Sequence, residues 1–181
     1  MKKIKLRFFT VADWEDEERF LREQHKKGWK FVTFIPVCIF IFESCDPEDV
    51  IYRVDYKNNK HTDEYLQLIR DYGWEYVGTK LGWMGFRKPA GSVISEKEGE
   101  LFSDNESKIK MINNIVKTRL LPLVFIFITC IIPNLINAMR ESLGPTSKFF
   151  LIIFSLLSAI YIYLILHCSI KLRELKNRYQ K

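Results

Sequence analysis

Three features of this 181-residue chain predict an α+β domain built from duplicated βαββ units, followed by a transmembrane helical hairpin. The phrase GWKFV at residues 28–32 returns as GWEYV at 73–77. Two apolar runs, 120–139 and 149–170, contain no Asp, Glu, Lys or Arg. The surplus positive charge lies wholly in the second half: residues 1–100 carry 17 Lys+Arg against 18 Asp+Glu, and 101–181 carry 11 against 4.

Each GW phrase closes a helical pattern. Phe20 and Leu21 lie eight and seven residues before Gly28, and Tyr65 and Leu66 lie eight and seven before Gly73. Glycine just past a helix accepts a left-handed backbone at little cost, so Gly28 and Gly73 read as helix stops. Trp29 and Trp74 then fold back on the last turn and begin the next strand; core packing explains them without an aromatic ligand clamp. Upstream, KLRFFT (5–10) and IYRVDY (51–56) alternate with period two, and downstream VCIFIFE and WMGFRK supply a further strand each. The matching phenylalanines are Phe42 and Phe86. Each half therefore reads strand, helix, strand, strand. Together they predict a mainly antiparallel sheet of about six strands with two helices on one face, over residues 1–90. Asp46-Pro47 separates the units and Asn58-Asn59 turns into the second helix. The acids of DWEDEE read as a first helical turn favoured by the helix dipole, not as a carboxylate site.

The stretch RKPAGSVISEKEGE (87–100), with Pro, Gly, Ser and charges, predicts a linker over 91–102. Ser103 and Glu106 form a capping box that starts a juxtamembrane helix over 103–119, with Lys108, Lys110, Lys117 and Arg119 near anionic headgroups. The runs 120–139 and 149–170 have the length that spans a bilayer and are apolar all round, unlike soluble core helices. Pro122 and Pro133 predict kinks. Lys and Arg flank the outer sides of the pair, leaving Arg140 and Lys148 in the loop 140–148. With no signal peptide at the start, this predicts a two-pass cell-membrane protein with both termini, including the basic tail 171–181, in the cytoplasm. Asn134 and Asn137 share one helix face, as do Ser155 and Ser158. An amide in hydrocarbon needs a partner, which predicts intramembrane packing through an Asn134–Ser155 contact.

No chemistry-bearing constellation emerges. His25, His61 and His167 lack ligand spacing to one another or to the cysteines, and no phosphate-binding or nucleophile motif occurs. No enzyme activity, metal or cofactor is expected. Cys38, Cys45, Cys130 and Cys168 read as small apolar thiols. No direct nucleic-acid binding is expected, because the surplus charge adjoins the spans instead of a soluble domain. One polar cluster stands out: Arg7 and Arg53 occupy matching places in LRF and YRV, and Arg87 lies in the last strand. On one open sheet face, these three would form an anion-binding or partner-docking patch; an ordinary solvated face paired with Asp55 and Glu43 is the alternative.

KLRFFT, the helix ending in GW, YRVDY (52–56), DYGWEYVG (71–78), GWMGFRKP (82–89) and LFSDNESKI (101–109) together resemble the bacterial domain-of-unknown-function family numbered 2812, over about residues 4–110. The resemblance implies an integral membrane protein, often encoded beside a PadR-like transcriptional regulator, and brings no catalytic residues. The expected function is a membrane-anchored cytoplasmic interaction or sensory module that recruits a partner, such as a PadR-like regulator or another membrane protein, to the inner membrane face among membrane lipids. A small-ligand or anion-binding protein using the open sheet face, analogous to GyrI-like modules, and an accessory subunit of a larger membrane complex are the alternatives.

Overall fold

A computed structural model describes residues 1–35, 38–57, 63–101, 105–140 and 145–180. The expected turn at Asn58-Asn59, His61, Ser103 of the capping box and the hairpin tip at 141–144 lie outside the described residues. The chain divides into two compact units, Met1–Met111 and Ile112–Lys181.

The first unit is α+β. Its strands are β1 (Lys2–Leu6), β2 (Trp29–Ile35), β3 (Ile39–Ser44), β4 (Val50–Tyr56), β5 (Glu75–Lys80) and β6 (Trp83–Pro89). Helix α1 (Trp14–Lys26) follows β1, and α2 (Asp63–Asp71) follows β4. All six strands form, and hydrogen bonding divides them into two antiparallel three-stranded sheets, β1-β3-β2 and β4-β6-β5. The duplication is visible in this topology: in each unit the third strand lies between the first two. It extends to a shared irregularity. Phe31 pairs with Phe42 and Tyr76 with Phe86, and the register shifts immediately afterwards, between Phe31 and Thr33 and between Tyr76 and Gly78. A bulge at the same place in both units bends each second strand alike.

Each unit has its own core. Phe20 and Leu21 of α1 bury against Phe40 and Phe42, together with Val50 and Tyr52 from β4. Ile69, Trp74, Met84, Phe86 and Ile51 form the second, with Tyr65 and Leu66 of α2 packed against it. The helices do not share one face of a single sheet. Helix α1 packs on the first sheet and along β4, the edge of the second, where Glu18 accepts the Val54 N–H at 2.8 Å. Helix α2 covers the second sheet, with the Tyr65 ring edge-on to Phe86. The reason is arithmetic of faces: a three-stranded sheet offers one helix-wide face, so α1 also takes up the β4 edge, which satisfies an edge donor.

The helix stops form as expected. Gly28 and Gly73 have φ of 76° and 80°. At the second, Gly73 N–H donates to Arg70 O and Trp74 N–H to Ile69 O, a complete Schellman pair. Trp74 is buried; Trp29 is half-buried with Lys3 Nζ 4.5 Å from its ring centre. The stretch expected as a linker is packed. Ala90, Val93 and Leu101 lie on the second core, and Gly99 is buried with Ile51 and Val93 around it.

Asn105–Arg140 is helical throughout: α3 (Asn105–Ile115), a π turn (Val116–Leu120), α4 (Leu121–Ile126), a second π turn (Phe127–Ile131) and α5 (Ile132–Arg140). The two prolines do more than kink it. Each π turn starts six residues before a proline, Pro122 or Pro133, and each proline has a threonine four residues before it. Proline offers no N–H to that threonine's carbonyl, and the wider turn accommodates the break. Thr118 and Thr129 in turn donate their hydroxyls to Asn114 O and Phe125 O. Helix α6 runs from Pro145 to Tyr179. Within the second unit, α5 packs on α6, and Phe127 stacks on Tyr161 at 5.9 Å. At the opposite end Lys176 Nζ donates to Asn113 Oδ1 at 3.0 Å. Both long helices are long and apolar enough to cross a membrane, and only 6% of the apolar stretch of each is buried within the protein.

Candidate functional site

The three arginines singled out from the sequence do not come together. The ladders fix why. Lys3 stands opposite Phe42, and Arg53 stands opposite Phe86, the equivalent phenylalanine. The structural counterpart of Arg53 is therefore Lys3, and Arg7, four residues further on, lies beyond the end of β1. A period-two pattern looks the same after a shift of four, so only strand pairing sets the register. In the second sheet Arg53 pairs across with Phe86 and Arg87 with Tyr52, one residue apart, which puts the two arginines on opposite faces.

Each of those two is also neutralised. Arg87 forms a two-pronged pair with Glu75, and its guanidinium holds the Glu75 carboxyl below the usual carboxylate range. Tyr52, beside it, bonds through its hydroxyl to His25 Nδ1 at 2.8 Å, and burial lowers the His25 pKa. Arg7 is exposed, with its guanidinium 5.6 Å from the Phe20 ring centre, and makes no ion pair among the described residues.

What the fold assembles instead is a partly buried junction around Arg53. Its Nη1 reaches Glu18 Oε2 of α1 at 3.3 Å and Tyr52 O at 3.0 Å, and its Nη2 reaches Glu100 Oε1 at 2.8 Å. The other Glu100 oxygen accepts from Lys108 Nζ of α3 at 2.9 Å. Arg53 Nε is buried with no hydrogen-bond partner among the described residues. Glu18 is the most enclosed member; burial pushes its carboxyl up to about 8, against the pull of Arg53 and the Val54 N–H. A second buried carboxylate lies nearby in sequence: Asp55 accepts from Tyr65 Oη at 2.6 Å, and burial raises its pKa as well. The arrangement positions charge. It links the middle of α1, edge strand β4 and the first turns of α3 through one guanidinium. Among the described residues no three His, Cys, Asp or Glu side chains gather as a metal site.

A model of a protein family described as being of unknown function, DUF2812, matches residues 13–125, more than half of the chain. The chain belongs to the DUF2812 family. The DUF2812 match begins at the start of α1 and ends inside α4, so it takes in Glu18, Arg53, Glu100 and Lys108 and the entry to the first apolar helix. It excludes β1, although the motifs in the sequence put the family pattern at about residues 4–110. No curated protein and no solved structure matches this DUF2812 chain.

Sequence reasoning missed Glu18, Glu100 and Lys108. Glu18 carried a readable signal: it lies four residues after Trp14 and three before Leu21, on the buried stripe of α1, which places an acid where an apolar residue belongs. Glu100 and Lys108 carried none, because their partner is reached only by folding. In the hairpin, the expected Asn134–Ser155 contact is replaced by a local bond. Asn134 Nδ2 donates to Cys130 O of its own helix at 2.7 Å. Asn134, Asn137 and Ser155 are exposed, whereas Ser158 is buried. An amide one turn after a carbonyl finds it within reach, which relieves the need for a partner helix.

Proposed function

We propose that this DUF2812 protein is a non-enzymatic, two-pass membrane module whose folded domain and tail face the cytoplasm and recruit a partner protein to the inner membrane surface. The observation that carries this reading is the Arg53 junction together with helix continuity: Lys108, tied through Glu100 to Arg53, lies on the helix that continues to Arg140. A partner that engages α1 or β4 would act on side chains joined to that helix, which gives the domain a route for sensing as well as tethering. Orientation rests on the Lys and Arg residues flanking the outer sides of the two apolar helices. The resemblance-based expectation that a PadR-like regulator is the partner belongs to this reading.

The test is in vivo crosslinking of the intact chain, compared with Arg53→Ala and Lys108→Glu. A defined partner captured by the intact chain and lost or altered in both variants supports the reading. Identical capture by all three refutes a role for the junction, and no specific capture refutes recruitment.

A second reading, accessory subunit of a larger membrane complex, draws on Asn134, Asn137 and Ser155 being exposed on otherwise apolar helices. Co-purification of large membrane proteins, lost on Asn137→Leu, would favour it.

A further inference from the structure

The outer face of the first sheet is apolar and uncovered. Register places Ile4, Ile41 and Thr33 in one row and Leu6, Ile39 and Ile35 in the next. These rows lie opposite the face that carries Phe40 and Phe42 to α1. Ile4 and Leu6 are 66% and 71% exposed, Phe8 57% and Ile35 49%. With Val32, also exposed, these side chains offer on the order of 500 Å², at the upper end for a monomer's largest apolar patch.

The same strand carries cations without ion pairs on its other side: Lys3 and Lys5 stand opposite Phe42 and Phe40, with Lys3 over the Trp29 ring and Lys5 and Arg7 over Phe20. Lys3, Lys5, Arg7 and Lys27 crowd one another, and their repulsion joins burial in lowering the Lys5 pKa. Lys2, Lys3, Lys5, Arg7 and Lys27 have no ion-pair partner among the described residues, whereas Lys26, Lys30 and Arg87 each have one and Arg53 has two. β1 is an edge strand, amphipathic with apolar side chains on one side and cations on the other, so a surface that meets its outer face also comes near this charge.

We propose that this face and its basic β1 edge dock on an anionic lipid surface, with Ile4, Leu6 and Phe8 entering the headgroup region and the cations meeting lipid phosphates. An exposed apolar side backed by unpaired positive charge on the same edge strand is the pattern of interfacial binding. The patch is smaller than the ~800 Å² per partner of a stable protein interface. A domain already held at the bilayer by its own helices needs less, since the tether replaces most of the entropy cost of association. A second copy added along β1 is disfavoured, because it would set Lys2, Lys3 and Lys5 against the same lysines. The inference rests on the membrane-anchored reading above.

The test uses the full chain in a cysteine-free background, reconstituted into phosphatidylcholine vesicles with or without phosphatidylserine. An environment-sensitive fluorophore is attached at Leu6→Cys, Leu68→Cys or Phe125→Cys, and spin-labelled lipids serve as quenchers. Phe125, on an apolar helix, reports insertion; Leu68, exposed on α2, reports non-specific contact. The expected result is quenching at Phe125 in both vesicles, and at Leu6 several-fold more with phosphatidylserine, with Leu68 unquenched. The Leu6 signal should fall in high salt and with Lys5→Glu/Arg7→Glu, and persist with Lys5→Arg/Arg7→Lys while tryptophan emission stays native. Quenching at Phe125 but not at Leu6 overturns the docking alone. No quenching at Phe125 overturns the anchored reading and this inference with it. Crosslinking between Leu6→Cys chains in place of lipid quenching assigns the face to a second copy and overturns the proposal.

Discussion

Arg53 donates through Nη2 to Glu100 Oε1 at 2.8 Å, joining a strand of the second sheet to the segment that leads into α3. The same guanidinium holds Glu18, which is only 10% exposed. Arg53→Ala should therefore cost about 2 kcal/mol, since it removes the donor that both Glu18 and Glu100 share and leaves enclosed carboxyl oxygens short of a hydrogen bond. Lys108→Ala, removing an ion pair with the half-buried Glu100, should cost about 1 kcal/mol. All four tryptophans, Trp14, Trp29, Trp74 and Trp83, lie in the first unit, so urea denaturation of the full chain in mild detergent, followed by tryptophan emission, measures this directly. Equal losses from the two variants would mean that Arg53 is not the hub.

Glu18 gives the domain a pH dependence of definite sign. Its folded pKa of about 8 lies above the unfolded value, so between the two the folded state binds more protons. Stability then falls as pH rises towards 8 and recovers as pH is lowered, with a slope of at most about 1.4 kcal/mol per pH unit. Asp55, also raised, adds in the same direction. His25, lowered from 6.5, opposes it only below that pH, where the unfolded chain takes up a proton that the buried ring refuses. Between pH 7 and 8 the wild-type urea midpoint should rise on acidification, and Glu18→Gln should flatten the slope. A midpoint that rises with pH in this window would contradict the buried-acid assignment.

The two helix stops differ in what a side chain would meet. A Cβ at Gly28 would come within 3.0 Å of Cys45 O, whereas at Gly73 its nearest neighbour is the Lys88 side chain at 3.5 Å. Both positions have positive φ, so alanine is strained at each by about 1 kcal/mol. The backbone carbonyl cannot swing aside as a lysine can, and Gly28→Ala should lose about 2 kcal/mol against about 1 for Gly73→Ala. The same tryptophan-monitored denaturation ranks them; equal losses would show that Cys45 O yields.

Topology is open to a thiol-accessibility measurement. Lys148→Cys and Asn177→Cys, each in a cysteine-free chain, lie near the two ends of α6. With both termini cytoplasmic, an impermeant thiol reagent should label position 148 in intact cells and position 177 only after lysis. The opposite pattern would reverse the orientation drawn from the Lys and Arg distribution.

The sequence by itself determined the local elements: two helix stops at Gly28 and Gly73, six strands, the repeat that relates them, and two helices long and apolar enough to span a bilayer. These follow from backbone preferences and from hydrophobic period, both readable within a dozen residues. Tertiary structure alone decided the division into two sheets, the position of α1 along the β4 edge, and the pairing of Lys3, not Arg7, with the place of Arg53. Alternation is unchanged by a shift of two or four residues, so the register had to come from the Lys3–Phe42 and Arg53–Phe86 pairings. The Arg53 junction was out of reach for a related reason. Glu18, Arg53, Glu100 and Lys108 are separated by 35, 47 and 8 residues, and a charge reads as solvent-facing until the chain encloses it.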